Sequence, residues 1–119
     1  MSKPGKHFYE FGPFRIDART RFPIRDGKPV PVTPKACELL LALIQNSGRV
    51  LGKEELMQTL WPDTIVEENN LTVTLSALRK ALGESAGQKY IETIPKRGYR
   101  FVATVKELWD EGTDVILSS

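Results

Sequence analysis

The first 32 residues alternate short apolar runs with turn-forming residues. The runs read FYEF, FRID, RFPIR and VPV, and they are punctuated by Gly12, Pro13, Gly27, Pro29 and Pro31. Short runs of apolar and β-branched residues bounded by glycine and proline are typical of antiparallel strands, and the Asp26-Gly27 pair is a hairpin signal. This part of the chain therefore predicts a small sheet of four short strands.

Residues 33–82 hold three patterns of helical spacing. The first begins at Thr33 and Pro34, where threonine can cap free amides and proline loses no hydrogen bond, and it ends at Asn46-Ser47-Gly48. The second runs from about Lys53 to Trp61 and is stopped by Pro62, and the third begins near Glu67. The chain therefore predicts three helices after the sheet.

The third helix has an unusual outer face. Its apolar stripe consists of Leu71, Leu75, Leu78 and Leu82, which we expect to face the core. The opposite stripe and its flanks are short and polar, with cations near the C-terminus: Asn69, Val73, Ser76, Ala77 and Lys80, flanked by Asn70, Thr72, Thr74 and Arg79. A solvated face more often mixes Glu and Lys at i, i+4 spacing, so this composition indicates another use.

Short side chains keep a helix slim enough for the major groove of DNA. There an Asn can bond adenine bidentately, and an apolar group such as Val73 can meet the thymine methyl. The cations at the far end suit phosphates, although Arg79 and Lys80 also complement the helix dipole and so have a structural explanation too. The composition favours a DNA interface over a plain solvated face, with an A·T-containing half-site.

The stretch KYIETIPKRGYRFVATV predicts two strands around a basic tip at Lys96-Arg97-Gly98. A hairpin beside a recognition helix is a wing, and cations at its tip can enter the minor groove or grip phosphates. We assign Arg97, next to the turn glycine, to the minor groove, and Lys96 and Arg100 to phosphates. The alternative for Arg100 is an ion pair across the hairpin with Glu92.

The charges are unevenly distributed along the chain. Residues 52–70 hold one Lys/Arg against five Asp/Glu, whereas residues 71–106 hold seven against two. A basic block that follows an acidic one would make the surface charge asymmetric and would orient the domain toward a polyanion. Solvated faces without a partner have the same composition.

The residue inventory argues against an enzyme. The chain of 119 residues is long enough for one domain and has one cysteine and one histidine. Cys37 lies in the first helical pattern and is predicted to pack in the core, and His7 is predicted to be an exposed terminal residue. Without paired His/Cys ligands or a glycine-rich phosphate loop, we expect no metal site and no cofactor. The longest apolar run, Leu39 to Ile44, is far too short to span a bilayer, and no signal sequence is visible, so we expect a cytoplasmic domain.

The order of these elements resembles a known family. The four N-terminal runs followed by VTPKACELLLAL, GRVLGKEELMQTLWP, NNLTVTLSALRKALGE and YIETIPKRGYRF resemble the winged-helix effector domain of the OmpR/PhoB family over residues 8–105. The resemblance implies an α+β fold: a winged helix-turn-helix with a four-stranded N-terminal antiparallel sheet, three helices and a C-terminal β-hairpin wing. It also implies sequence-specific binding of double-stranded DNA by a monomer that dimerises head to tail on direct repeats.

Site residues follow by position in that resemblance. Base contacts fall to Asn69, Asn70, Val73 and Thr74, and backbone contacts fall to Thr72, Ser76, Arg79, Lys80, Lys96 and Arg100. In activators of the family, the loop before the recognition helix contacts RNA polymerase; here that loop consists of Pro62, Asp63, Thr64, Ile65 and Val66. Many relatives have a basic residue where this chain has Asn69 or Ala77, so we expect a single domain to bind weakly.

The form TIPKRGYRF resembles that of ToxR/CadC-like regulators, in which the DNA-binding domain comes first and is followed by a linker, a membrane span and a sensor. We therefore divide the chain into a disordered N-terminus over residues 1–7, the DNA-binding domain over residues 8–105, and an acidic tail or linker start over residues 106–119. No phosphorylatable receiver domain is expected before the first strand. The alternative function is a winged-helix module for protein–protein interaction, which should carry large apolar anchors on its outer helical face; here only Val73 is bulky and apolar.

Overall fold

The computed structural model describes residues 6–84 and 89–110, with only the backbone of Lys6 and Asp110. In chain order, the elements are β1 (Lys6–Phe11), β2 (Phe14–Asp17), β3 (Pro23–Arg25), β4 (Lys28–Pro29), α1 (Pro34–Gln45), β5 (Val50–Leu51), α2 (Lys53–Leu60), α3 (Glu68–Ala81), β6 (Ile91–Ile94), β7 (Gly98–Phe101) and β8 (Lys106–Asp110). The predicted order of sheet, three helices and hairpin is confirmed.

The N-terminal sheet is antiparallel and has the strand order β4-β3-β2-β1-β8. Alternate residues of β1 and β2 point to the helices and are buried: Tyr9, Phe11, Phe14 and Ile16. Phe11 and Phe14 pack with Tyr90 and Phe101, with ring centroids 5.1–5.6 Å apart, so aromatic contacts join this sheet to the C-terminal hairpin.

The sheet has five strands, not the four predicted, because β8 pairs with β1. His7 lies opposite Trp109, their rings stack at 3.8 Å between centroids, and His7 Nε2 lies 2.5 Å from Glu107 Oε2. His7 is therefore part of the sheet, contrary to the prediction of an exposed terminal residue. Charged side chains are common on edge strands, so the acidic segment gave no strand signal. The remainder of the predicted terminal segments, residues 1–5 and 111–119, lies outside the described residues.

The helices pack on the inner face of the sheet as their leucine patterns predict. Ala36 N donates to Thr33 Oγ1 at 3.2 Å, which confirms the cap of α1. Cys37 is buried within α1, also as predicted. The leucine stripe of α3 is buried throughout, with Leu71, Leu75, Leu78 and Leu82 each at most 3% exposed. The opposite face of α3 must therefore point away from the core.

The C-terminal hairpin belongs to a second sheet with the order β5-β7-β6. The two-residue strand β5 was not predicted, because Val50 and Leu51 are too few to show a period; they pair with Arg100 and Tyr99. Strand β5 lies immediately before α2, so this pairing fixes the hairpin to the start of the helix pair α2–α3.

Candidate nucleic-acid interface

The outer face of α3 is accessible along the whole helix. Since the leucines take the inner face, the predicted contact residues on the opposite side are exposed: Asn69, Asn70, Thr72, Val73, Ser76 and Lys80. Val73 is 57% exposed, a high value for a bulky apolar side chain. Apart from Lys80 near the C-terminus of the helix, the side chains on this stripe are short, as the sequence predicted.

Three polar side chains on this side of α3, those of Asn70, Thr72 and Thr74, also bond to the helix backbone. Thr74, which is half-buried, donates from Oγ1 to Asn70 O at 2.7 Å, and Asn70 Nδ2 donates to Glu67 O at 3.3 Å. Thr72 Oγ1 lies 3.5 Å from Glu68 O. A hydroxyl that donates to the backbone keeps lone pairs that can accept a hydrogen bond from outside, so these contacts orient the threonines without closing them to a ligand.

The first turn of α3 is joined to α2 by an ion pair that the sequence pattern did not indicate. Lys53 Nζ donates to Glu68 Oε2 at 2.7 Å, and this hydrogen bond together with the Glu68 charge raises the pKa of Lys53. The two residues are 15 positions apart, so no local spacing reveals the pair. Lys53 therefore balances the negative charge of Glu68 beside the outer face of α3.

The wing tip is the turn Pro95-Lys96-Arg97 between β6 and β7. Arg97 N donates to Ile94 O at 2.9 Å, and Lys96 has a left-handed backbone with φ of 65°. Both basic side chains are exposed, and neither makes an ion pair with any residue that the structure describes. Among the described residues, the tip therefore presents two cations without an ionic partner.

Two other predicted cations have partners inside the fold. Arg100 Nη2 donates to Glu92 Oε1 at 2.5 Å, directly across the hairpin, which is the alternative that the sequence left open. Arg79 Nη2 donates to Ile91 O at 3.0 Å and to Thr93 Oγ1 at 2.9 Å. The structure thus separates Arg79 and Arg100 from Lys80, Lys96 and Arg97, which have no such partners among the described residues.

The loop between α2 and α3 borders a shallow groove. Ile65 is fully exposed, and the groove of about 200 Å³ is lined by Glu54, Met57, Gln58, Trp61, Thr64, Ile65 and Val66. The Trp61 ring is held in place by Lys35, whose Nζ lies 5.6 Å from the ring centroid and also donates to Leu60 O. This surface combines an exposed aliphatic side chain with acidic neighbours.

The helix pair α2–α3, the slim exposed face of α3 and the hairpin with a basic tip together define a winged helix-turn-helix domain of the DNA-binding class. Within the described residues, there is no cluster of His, Cys, Asp and Glu that could hold a metal, and no helix has the length and hydropathy of a membrane span.

Comparison with known proteins gives the family. Residues 27–101 match the family described as "Transcriptional regulatory protein, C terminal", and the chain belongs to this OmpR/PhoB-type family. Among curated proteins, the transcriptional activator CadC of Escherichia coli K12 is 36% identical over 100 residues, which cover 80% of this chain and 19% of CadC. The chain thus spans about a fifth of the length of that relative.

Solved structures agree with this family assignment. The DNA-binding domain of E. coli CadC superposes with a TM-score of 0.73 at 30% identity, covering 92% of this chain and 99% of the other. DrrB of Thermotoga maritima, a response regulator described as an OmpR/PhoB homologue, gives a TM-score of 0.72 at 32% identity over 80% of this chain and 44% of DrrB.

The chain is therefore the DNA-binding domain of a transcriptional regulator, and its relatives are regulators, not enzymes. The predicted fold class, family and general function are confirmed. The assignment of single residues to bases, phosphates and polymerase stays a prediction.

Proposed function

We propose that this domain binds specific sites in double-stranded DNA, with α3 in the major groove and the wing tip at the adjacent minor groove. The observation that carries the proposal is the joint exposure of two surfaces: the short polar face of α3 and the cations Lys96 and Arg97, which have no ion pair with any described residue. An α-helix with small side chains fits the major groove, and Arg is favoured in narrow minor grooves.

The base contacts are assigned to the N-terminal half of α3. Asn69 and Val73 lie one turn apart on the exposed stripe, where an amide can pair with adenine and a branched methyl group can pack on thymine. Asn70 and Thr74, joined by the hydrogen bond from Thr74 Oγ1, form the neighbouring row. This set favours a half-site that contains A·T pairs.

The phosphate contacts are assigned to side chains that have no competing ionic partner in the part of the chain that the structure describes. Thr72 and Ser76 supply hydroxyls, and Lys80 and Lys96 supply cations, while Arg97 enters the minor groove. Because the exposed face of α3 carries few cations, we infer that one domain binds weakly as a monomer and that stable binding uses a head-to-tail dimer on direct repeats.

We assign a second surface, the loop 62–66, to RNA polymerase. Support comes from the fully exposed Ile65 beside a shallow groove with both apolar and polar lining residues, since an exposed aliphatic side chain can anchor a partner protein. We further propose that the DNA-binding part works in the cytoplasm and that a membrane or sensor domain follows it in the full-length regulator; the support is the likeness to CadC, of which this chain spans 19%.

The experiment is a selection of bound sites from a random duplex library, followed by salt titration of the enriched site. We expect a repeated motif and an affinity that falls steeply with salt. Arg97→Ala should reduce the slope of log K against log salt by about 0.9. Arg19→Ala, which removes an exposed cation in the turn between β2 and β3, is the matched control and should leave the slope unchanged. Failure to enrich any site at low salt, even with two domains fused in tandem, would contradict the proposal and favour a protein partner.

A further inference from the structure

The end of α3 and the start of the wing are joined by two side chains, Arg79 and Glu84. Helix α3 ends in a turn in which Gly83, with φ of 71°, donates from N to Lys80 O at 3.0 Å, and Glu84 N donates to Arg79 O at 3.1 Å. This pair of bonds is a Schellman motif. It places the Glu84 side chain beside the strand that begins the wing.

The Glu84 carboxylate binds the backbone where the wing begins. Its Oε2 accepts hydrogen bonds from Tyr90 N at 2.9 Å and from Ile91 N at 2.8 Å, and the side chain is only 10% exposed. A nearly buried carboxylate that accepts two amide bonds is strongly held, because charge-assisted bonds in such surroundings are strong and costly to lose. The carboxylate therefore fixes the start of β6.

Arg79 completes the connection from the side of the helix. Its Nε lies 3.5 Å from Glu84 Oε1, and its Nη2 bonds both Ile91 O and Thr93 Oγ1 on β6. The Nε atom is buried and has no hydrogen bond among the described residues, while the side chain as a whole is 30% exposed, so the guanidinium is held at this junction mainly by its contacts with Glu84, Ile91 and Thr93. A side chain held in this way is not free to follow a phosphate.

We propose that Arg79 and Glu84 form a clamp that sets the position of the wing relative to α3, so that Arg79 is a positioning residue for DNA binding and contacts no phosphate. The inference rests on the proposed function, because the clamp matters only if α3 and the wing contact the same duplex. The two surfaces must then enter neighbouring grooves together, and an error in their relative position lowers affinity although no contact residue has changed.

The direction in which Glu84→Gln changes the DNA affinity separates a positioning role of Arg79 from an electrostatic one. If Arg79 contacted phosphate, Glu84 would only weaken it, and Glu84→Gln would strengthen binding by removing a negative charge near DNA. With a clamp, Glu84→Gln weakens binding, as does Arg79→Gln. We expect each to lower the affinity for the selected site about fivefold, the same factor at every salt concentration, and the double variant to lose little more than either single one.

Lys80→Gln is the matched control, since Lys80 is the next residue and is exposed without an ionic partner among the described residues. It should lower the slope of log K against log salt by about 0.9, as the loss of a phosphate contact does. Thr93→Val removes one acceptor of Arg79 without changing charge, and it should weaken binding at unchanged slope. This variant keeps the test valid if loss of Arg79 or Glu84 prevents folding.

Amide hydrogen exchange of the free domain supplies a measurement that needs no DNA. The amides of Tyr90 and Ile91 should exchange faster in Glu84→Gln and Arg79→Gln than in the wild-type domain or Lys80→Gln. Stronger binding by Glu84→Gln, or a lower salt slope for Arg79→Gln with unchanged exchange of those amides, would overturn the clamp and leave the proposed function intact. No specific binding by the wild-type domain would overturn both.

Discussion

Arg100 lies directly opposite Glu92 in the wing hairpin, and its Nη2 donates to Glu92 Oε1 at 2.5 Å. The two side chains are 39% and 40% exposed, so water and salt screen the pair. Such half-exposed pairs add little to stability, commonly about 0.2–1 kcal/mol. The pair instead holds the Arg100 charge along the hairpin, below the free cations of the tip.

This arrangement predicts different salt behaviour for two arginines of the same wing. Arg100→Gln should change the salt slope of DNA binding little, because its charge is already balanced by Glu92, whereas Arg97→Gln should lower the slope by about 0.9. Fluorescence anisotropy titrations between low and moderate salt measure both. Equal decreases for the two variants would show that Arg100 leaves Glu92 for a phosphate when DNA binds.

Gly98 is required where the wing passes β5. A Cβ atom at this position would lie 1.9 Å from Leu51 O, and the glycine has φ of 149°. Gly98→Ala should therefore destabilise the domain by more than about 2 kcal/mol, through both the clash and the backbone strain. Gly27→Ala is the matched control: its φ is 80°, but its Cβ would meet no described atom within 4 Å apart from its chain neighbours, so only the strain of roughly 1–2 kcal/mol remains. Urea unfolding compares them, and equal losses would contradict the close approach.

Cys37 should make stability depend on alkaline pH. Burial, helped by the neighbouring Glu38 charge, raises the pKa of the Cys37 thiol from 9.0 to about 11. The unfolded chain then loses this proton first, so the stabilisation is complete below pH 9 and is lost as pH rises from 9 to 11. Between pH 8 and pH 10.5, the wild-type domain should lose about 1–2 kcal/mol more unfolding free energy than Cys37→Ala. Identical pH profiles would indicate that the thiol titrates normally.

Strand β8 should contribute measurably to folding. A chain truncated after Val105 loses five residue pairs with β1, among them the stacked His7 and Trp109. At about 0.2–1 kcal/mol for each cross-strand pair, the truncation should destabilise the domain by roughly 1–5 kcal/mol. A chain truncated after Asp110 keeps β8 and is the control. In thermal melts followed by circular dichroism, the first truncation should have a lower melting temperature than the second. Equal melting temperatures would mean that β8 adds nothing to stability.

If Asn69 and Val73 contact bases, replacing either residue should reduce the sequence specificity of DNA binding as well as the affinity. Asn69→Ala should cost about 1–3 kcal/mol at a site with the preferred base and much less when that base pair is changed, because the amide is the reading group. Val73→Ala should behave likewise toward thymine and its demethylated analogue, uracil. Competition assays with single-base variants measure these differences. A uniform loss over all sites would assign the residue to the backbone.

The helices and their faces could be predicted because each depends on spacing along one segment. The leucine stripe of α3, from Leu71 to Leu82, is a local period of 3.6 residues, and burial follows from it directly. The cap at Thr33 and the basic hairpin tip at Lys96 and Arg97 were equally local signals. The same reasoning could not find β5, which is two residues long, or β8, whose charged residues suit an edge strand.

Which cations remain free was decided by the fold. In the sequence, five positive charges lie beside a predicted DNA surface, and a partner, Glu92, was suggested for only one of them, Arg100; the other four are Arg79, Lys80, Lys96 and Arg97. The hairpin register puts Glu92 opposite Arg100, and the turn after α3 brings Glu84 to Arg79 and to the start of β6. Hydrophobic periodicity and turn residues act within about ten residues, so the sequence alone determined the three helices, the N-terminal strands, the hairpin and the outer face of α3. Ion pairing depends on distances of a few ångströms between separate elements, and only the tertiary structure sets these distances.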